Sequence, residues 1–226
     1  MIRDTLAEMN MKELIFVVLT GLGLIANGFA HASERLYENN FEKAALGTVP
    51  DGFLVLNGDF YVKEENGNKF LEAPGAPVDT YGVMVGPTEK EGWAIAARIF
   101  ATSKGRRFPT FAVGLNGGGG YKLQVSPAKK LVELYAGETV KASAPYEWES
   151  GKWTRLHLQI DKLKDGSWKV VGKAWTEDQA EPAAPLVALE EKEEPTAGKA
   201  SVWGSPYSGT PIRFDDLAVS RTPVKP

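Results

Sequence analysis

Over most of the chain apolar and polar residues alternate with a period of two, the pattern of half-buried β-strands. Segments of this kind run over 36–42, 53–56, 60–64, 69–72, 83–85, 93–101, 110–115, 121–126, 130–135, 153–161, 167–175, 200–203 and 212–220. Turn chemistry separates them, with Asn57-Gly58, Asn66-Gly67, Ser126-Pro127 and Asp165-Gly166 as the clearest breaks. Past the N-terminal segment no stretch keeps a long 3.6-residue period, and there is no internal repeat. Residues 177–195, biased toward Ala, Pro and Glu, read as a surface loop carrying at most one short strand.

Register follows from the same alternation. In 153–175 a two-residue Asp165-Gly166 turn would set Leu158 opposite Lys173 and bury a charge. A three-residue loop of Lys164, Asp165 and Gly166, with the glycine left-handed, avoids that. It pairs Ile160 with Val170, Leu158 with Gly172 and Leu156 with Ala174 on the core side. Arg155 then stands beside Trp175, His157 beside Lys173 and Asp161 beside Lys169 on the open side.

The glycine-rich run from Gly114 to Gly120 looks at first like a phosphate-binding loop. Such a loop must open a helix, whereas Tyr121, Lys122, Leu123, Gln124 and Val125 alternate like a strand. The glycines therefore predict a hairpin loop, with Leu115 facing Tyr121, Val113 facing Leu123 and Phe111 facing Val125 in the core. Ala112 and Gly114 lie on the open side with Lys122 and Gln124. A tight turn at Pro127-Ala128 next places Val132 and Leu134 inside and Glu133 opposite Lys122, a pair worth a few tenths of a kcal/mol. In 93–101, Trp93, Ile95, Ala97 and Ile99 face the core and Arg98 faces out. Trp168 falls on a core face, while Trp148, Trp153 and Trp203 lie near strand ends and receive no assignment. So many two-faced antiparallel strands predict an all-β fold of two stacked sheets.

Composition adds location. Leu14 to Ala26 is an apolar run preceded by Lys12, and Ala30 and Ala32 offer the small residues that a signal peptidase reads. A signal-peptide helix over 1–32, cleaved before Ser33, is expected, with Met1 or Met11 as the start. The run is short for a membrane span, so no membrane association is expected after cleavage. The remaining 33–226 fit a single β-sandwich domain, exported to the periplasm or beyond. A net charge of −3 gives no case for nucleic acid. With no cysteine there are no disulfides, thiol catalysis or thiolate metal sites. Histidine stands only at 31 and 157, so no two-histidine metal site survives cleavage.

Several motifs carry a resemblance. Asn40-Phe41-Glu42 followed by 50–53 (PDGF) resembles the first strand of a concanavalin A-like lectin/glucanase domain. The segment 212–220 (IRFDDLAVS) is similar to the last strand of such domains, which lies beside the first. Between them, 121–125, 131–137 and 151–175 follow the order seen in laminin-G-like jelly rolls and in 3-keto-disaccharide hydrolase-like domains of exported bacterial proteins. The resemblance covers about 36–220 and implies a jelly-roll sandwich whose concave sheet, in many members, holds a glycan. The glucanase pattern Glu-x-Asp-x-x-Glu is missing, and Asp215 and Asp216, being adjacent, are expected on opposite faces. No Gly-x-Ser-x-Gly elbow accompanies His157. A structural calcium held by Glu42 and Asp216 is expected if the first and last strands adjoin. The resulting expectation is a non-catalytic module binding carbohydrate or another cell-surface polymer. Its site is one open face bearing Arg98, Lys122, Gln124, Glu133, Tyr135, Arg155, His157, Lys173 and Trp175. Two alternatives stand beside it: a sugar-acting hydrolase or lyase using Glu133 and His157 as acid and base, and a structural or protein-contacting envelope domain.

Overall fold

The computed structural model describes residues 34–75 and 80–222. The signal peptide expected over 1–32 lies outside the described residues. Fifteen strands follow in chain order. They are β1 (Arg35–Asn39), β2 (Leu54–Asn57), β3 (Tyr61–Glu65), β4 (Asn68–Ala73), β5 (Tyr81–Glu89), β6 (Trp93–Phe100), β7 (Thr110–Leu115) and β8 (Tyr121–Ser126). The second half comprises β9 (Leu131–Ala136), β10 (Thr139–Pro145), β11 (Trp153–Lys162), β12 (Trp168–Thr176), β13 (Val187–Glu191), β14 (Gly198–Ser205) and β15 (Ile212–Arg221). One sheet runs β13-β12-β11-β6-β15-β4-β3, with β1 also on β15, for eight strands; the other runs β10-β9-β8-β7-β14-β5-β2, for seven. The fold is the expected all-β, two-sheet antiparallel sandwich.

Alternation builds the core. Leu156, Leu158 and Ile160 of β11 and Ile95 and Ile99 of β6 are fully buried, as are Val113, Leu123 and Leu134 of the facing sheet. The β11–β12 register is the predicted one, including Leu158↔Gly172, Arg155↔Trp175 and His157↔Lys173. Gly172 has a packing reason: a Cβ there would lie 2.4 Å from Leu123 Cδ1 of the other sheet. The β7–β8 register is likewise as predicted.

Three expectations need revising. The β8–β9 connection is not a tight turn but a 3-10 turn over Pro127–Lys129 followed by left-handed Lys130 (φ 57°). The longer connection slides the register, so Lys122 pairs with Tyr135 and Gln124 with Glu133. A slide of this kind keeps parity, and Val132 and Leu134 remain buried. Secondly, β10 was not expected. It is an edge strand whose inward contribution is Ala142 and Ala144, too small to mark a core stripe in sequence.

The third revision matters for the site. In β15 the buried apolar residues are Ile212, Phe214, Leu217 and Val219. The step from 214 to 217 is a β-bulge, with the register shift falling between Asp215 and Ala218 and Asp216 held left-handed at φ 49°. A bulge inserts one residue and turns two neighbours to one side. Asp215 and Asp216 therefore share the outer face, contrary to the simple alternation, and both reach the same arginine. The bulge also divides the edge of β15: β4 pairs with Ile212–Phe214 and β1 with the stretch from Leu217 to Ser220.

Candidate functional site

Parity says which residues point outward but not through which sheet. The nine residues expected on one open face fall on two. Arg98 (β6), Arg155 and His157 (β11), and Lys173 and Trp175 (β12) stand on the outer face of the eight-stranded sheet. Lys122 and Gln124 (β8) and Glu133 and Tyr135 (β9) stand on the outer face of the seven-stranded sheet. The packed core separates the two sets. Glu133 and His157 consequently share no site, and the acid–base pair that the hydrolase alternative needs is not formed.

On the eight-stranded sheet Arg98, Arg155, Lys173 and Arg213 are already matched to carboxylates. Arg98 Nη2 donates to Asp215 Oδ2 at 2.6 Å and to Asn68 Oδ1 at 2.7 Å, and Nη1 donates to Glu177 Oε1 at 3.2 Å. Its guanidinium stacks 4.6 Å from the Trp153 ring, which gives that unassigned tryptophan its place. Arg213 makes a parallel stack on Phe70 and Phe100, at 4.6 and 5.3 Å. Arg155 Nη2 donates to Glu177 Oε1 at 2.8 Å and Asp216 Oδ2 at 3.2 Å. Lys173 and His157 converge on Glu181, at 2.7 and 3.4 Å. Burial raises the Asp215 carboxyl above the ordinary aspartate value, against the donors Asn68 and Arg98. Burial lowers the His157 imidazole, against the pull of Glu181.

Beyond this ion-paired half the sheet opens into a trough of about 850 Å³. Its floor is Ala96 and Ala218; Arg155, His157, Trp175 and Glu181 wall one side, and Arg35, Glu38, Asn40 and Lys43 the other. Trp175 lines the trough but is only 7% exposed, which leaves little ring surface for a ligand.

Glu42 and Asp216, the residues expected to hold a calcium ion, both have protein partners. Asp216 Oδ2 is 3.3 Å from Arg98 Nε and 3.2 Å from Arg155 Nη2. Glu42 Oε1 accepts the backbone N–H of Lys69 at 3.0 Å, and the Lys69 ammonium takes the carbonyls of Glu42 and Ala44 at 3.2 and 3.1 Å. Among the described residues no three acidic or histidine side chains gather as metal ligands.

The seven-stranded sheet presents a different surface. Cross-strand pairing sets Trp203 of β14 between Gly82 of β5 and Ala112 of β7. A Cβ on Gly82 would meet the six-membered ring of Trp203 at 2.4 Å, and one on Gly114 would lie 3.3 Å from its Nε1. The indole thus lies down across three strands, on positions that hold glycine or alanine because any larger side chain would displace it. Its Nε1–H donates to Ser201 Oγ at 2.8 Å, fixing the ring's orientation. The lane of small residues at 112 and 114 is the bed of this tryptophan. Alternation along β14 puts Ser201 and Trp203 outward together and could have marked it.

Beside the indole is a pocket of about 270 Å³ whose lining includes Gly117, Gly118, Lys122, Tyr135, Glu138 and Trp203. The Lys122 ammonium stands 4.7 Å from the centre of the Tyr135 ring. Behind them Glu133, 4% exposed, accepts from Ser126 Oγ at 2.5 Å, Lys129 Nζ at 2.9 Å and Tyr135 Oη at 3.3 Å. Burial alone would raise the Glu133 carboxyl, but these donors bring it below the ordinary glutamate value. It is a buried carboxylate with three donors, and it holds the Tyr135 hydroxyl. Gln124 Nε2 donates to Ser126 Oγ at 3.0 Å and ties into the same network.

The sequence matches no protein-family model and no curated protein. Solved structures share the fold. The carbohydrate-binding module CBM66 from Bacillus subtilis is 12% identical, covers 75% of this chain and 95% of its own, and has a TM-score of 0.52. The Emp47p carbohydrate recognition domain is 10% identical over 86% of this chain and 99% of its own, with a TM-score of 0.56. The PL-14 alginate lyase from Aplysia kurodai is 10% identical over 84% of this chain and 99% of its own, with a TM-score of 0.58. The shared architecture is a two-sheet antiparallel β-sandwich, and its neighbours comprise both binding modules and an enzyme.

Proposed function

We propose that the chain is an exported, non-catalytic carbohydrate-binding sandwich that seats a sugar ring on Trp203, on the outer face of the seven-stranded sheet. The observation that carries this reading is the recumbent, part-exposed indole beside a pocket edged by Lys122 and Tyr135. An aromatic plate offers the apolar face of a pyranose a broad contact, and neighbouring polar groups fix its orientation. Carbohydrate-binding modules and a lectin domain among the structural neighbours support a sugar partner. The non-catalytic part rests on chemistry. Glu133 is 4% exposed and already holds three donors, Asp215 is 1% exposed, and among the described residues lining the pocket beside the indole only Glu138 carries a carboxylate.

The trough on the eight-stranded sheet is the rival seat, favoured by its volume. Its arginines, Arg35 and Arg155, would have to leave existing carboxylate partners to serve a ligand, and among its cations only Lys43 has no such partner among the described residues, which ranks it second. Affinity electrophoresis of the protein in gels cast with a panel of soluble polysaccharides decides between them. Retardation abolished by Trp203→Ala and retained by Trp175→Ala is the expected result. The opposite pattern moves the site to the trough, and no retardation by any polymer overturns the carbohydrate reading.

A further inference from the structure

Resting on the Trp203 reading, we infer that the site selects acidic sugars: a uronic acid residue lies on the indole and places its carboxylate on the Lys122 ammonium. The contrast between the two faces carries this. On the eight-stranded sheet Arg98, Arg155 and Lys173 each hold a carboxylate. Lys122 is also part-buried, yet among the described residues its ammonium makes no ion pair or hydrogen bond; its neighbour is the face of the Tyr135 ring. The flanking position across β7 is Gly114, which contributes no side chain. The acid nearest in the network, Glu133, is spent on Ser126, Lys129 and Tyr135.

A lysine left in this state keeps three donors beside a small pocket. Burial holds its ammonium below the ordinary lysine value, and an incoming carboxylate would reverse that shift. A neutral sugar hydroxyl can accept one of those hydrogen bonds, but a carboxylate accepts with charge assistance and offsets the desolvation already suffered. Glu138 on the rim works against an anion and limits the affinity without blocking the approach. Carboxylate rather than sulfate is the better match, because a single ammonium and one aromatic plate suit a planar group carried on the ring itself.

The experiment uses the protein with length-matched oligogalacturonides, neutral galacto-oligosaccharides and sulfated galacto-oligosaccharides, measured by calorimetry at 20 and 300 mM salt. Oligogalacturonide binding at least tenfold tighter than neutral binding at low salt, with the gap narrowing at high salt, is the expected result. Lys122→Met is expected to erase the preference: acidic binding falls at least tenfold, and neutral binding, which loses one uncharged hydrogen bond, falls by a smaller factor. Lys122→Arg should restore most of it, and Glu138→Gln should strengthen acidic binding a few-fold. Thermal unfolding of each variant checks the fold, and Lys122→Met, which removes a desolvated charge, should not lower the midpoint.

Equal binding of acidic and neutral chains, lost in Trp203→Ala and untouched by Lys122→Met, overturns the acidic preference and leaves the carbohydrate reading standing. A preference for the sulfated chain over the uronide also overturns it. No binding of any of the three, with Trp203→Ala silent, takes both readings down together.

Discussion

Replacing Arg98 by methionine tests the account of the eight-stranded sheet at its most connected point. The change removes the 2.6 Å ion pair with Asp215, the 3.2 Å pair with Glu177 and the stack on Trp153. Asp215, 1% exposed, keeps Asn68 Nδ2 at 3.0 Å and the Asp216 N–H at 2.7 Å but loses its counter-charge. Removing one partner of a buried pair costs about 3–5 kcal/mol. Two surviving donors and the 17% exposure of the Arg98 side chain put the expectation at the lower end, about 3 kcal/mol. With a urea dependence of about 2–3 kcal/mol per molar for a domain of this size, the unfolding midpoint falls by roughly 1 M, read by tryptophan fluorescence. Deleting the charge along with its partner, as Arg98→Met with Asp215→Leu, should recover stability to within about 1 kcal/mol of the parent. The pH response has a definite sign. Burial already raises the Asp215 carboxyl, and losing Arg98 raises it further, so the folded variant takes up a proton before the unfolded chain does. The variant's deficit is then full near pH 7 and shrinks toward pH 4. A loss under 1 kcal/mol, or a double variant no better than the single, refutes the reasoning.

Two further outcomes follow from the packing and the charges. Gly172→Val places new carbons against Leu123 Cδ1, 2.4 Å from the added Cβ, and Val187 Cγ2, 2.9 Å away. Overpacking of this kind should cost about 1–3 kcal/mol in chemical denaturation, part of it regained by adding Leu123→Ala. His157, flanked by Glu181, Lys173 and Asp161, has an imidazole lowered by burial, so the unfolded chain protonates first as pH falls. Stability should therefore decline as pH drops below the ordinary histidine value, and His157→Gln should flatten that slope in urea titrations at successive pH values.

The two central hairpins were legible almost to the residue, because each has one bulky apolar stripe and a turn whose length the stripe dictates. Leu158↔Gly172 and Val113↔Leu123 both stand as the alternation requires. The assignment of hairpins to sheets was not legible. Nothing in a strand's own parity records that β6 lies against β11 and β15 while β8 lies against β7 and β9. That ordering is set by which inner surfaces interlock across the core, a long-range matter. Merging two outward faces into one surface was the consequence. The bulge was readable in principle, since apolar positions at 212, 214, 217 and 219 step by two, three and two. Residue 130 carried no such signal, because a lysine at φ 57° looks like any surface lysine in sequence.

The same bulge explains why the two outer faces have different chemistry. By turning Asp215 and Asp216 to one side it concentrates negative charge where β4 and β1 part from β15, and Arg98 and Arg155 of the adjoining strands answer it. Charges so placed hold the divided edge together and have little left for a ligand. The seven-stranded sheet has a register shift at the β5–β14 pair too, between Lys199 and Ala200, but no acidic pair sits there. Its outward strands carry Gly82, Ala112, Gly114 and Ser201, which leave height for an indole to lie down and for one lysine to remain without a carboxylate. A face built to bind needs groups that folding has not already satisfied. On this sandwich, Trp203 and Lys122 meet that requirement together, whereas the more heavily charged face spends its ions on itself.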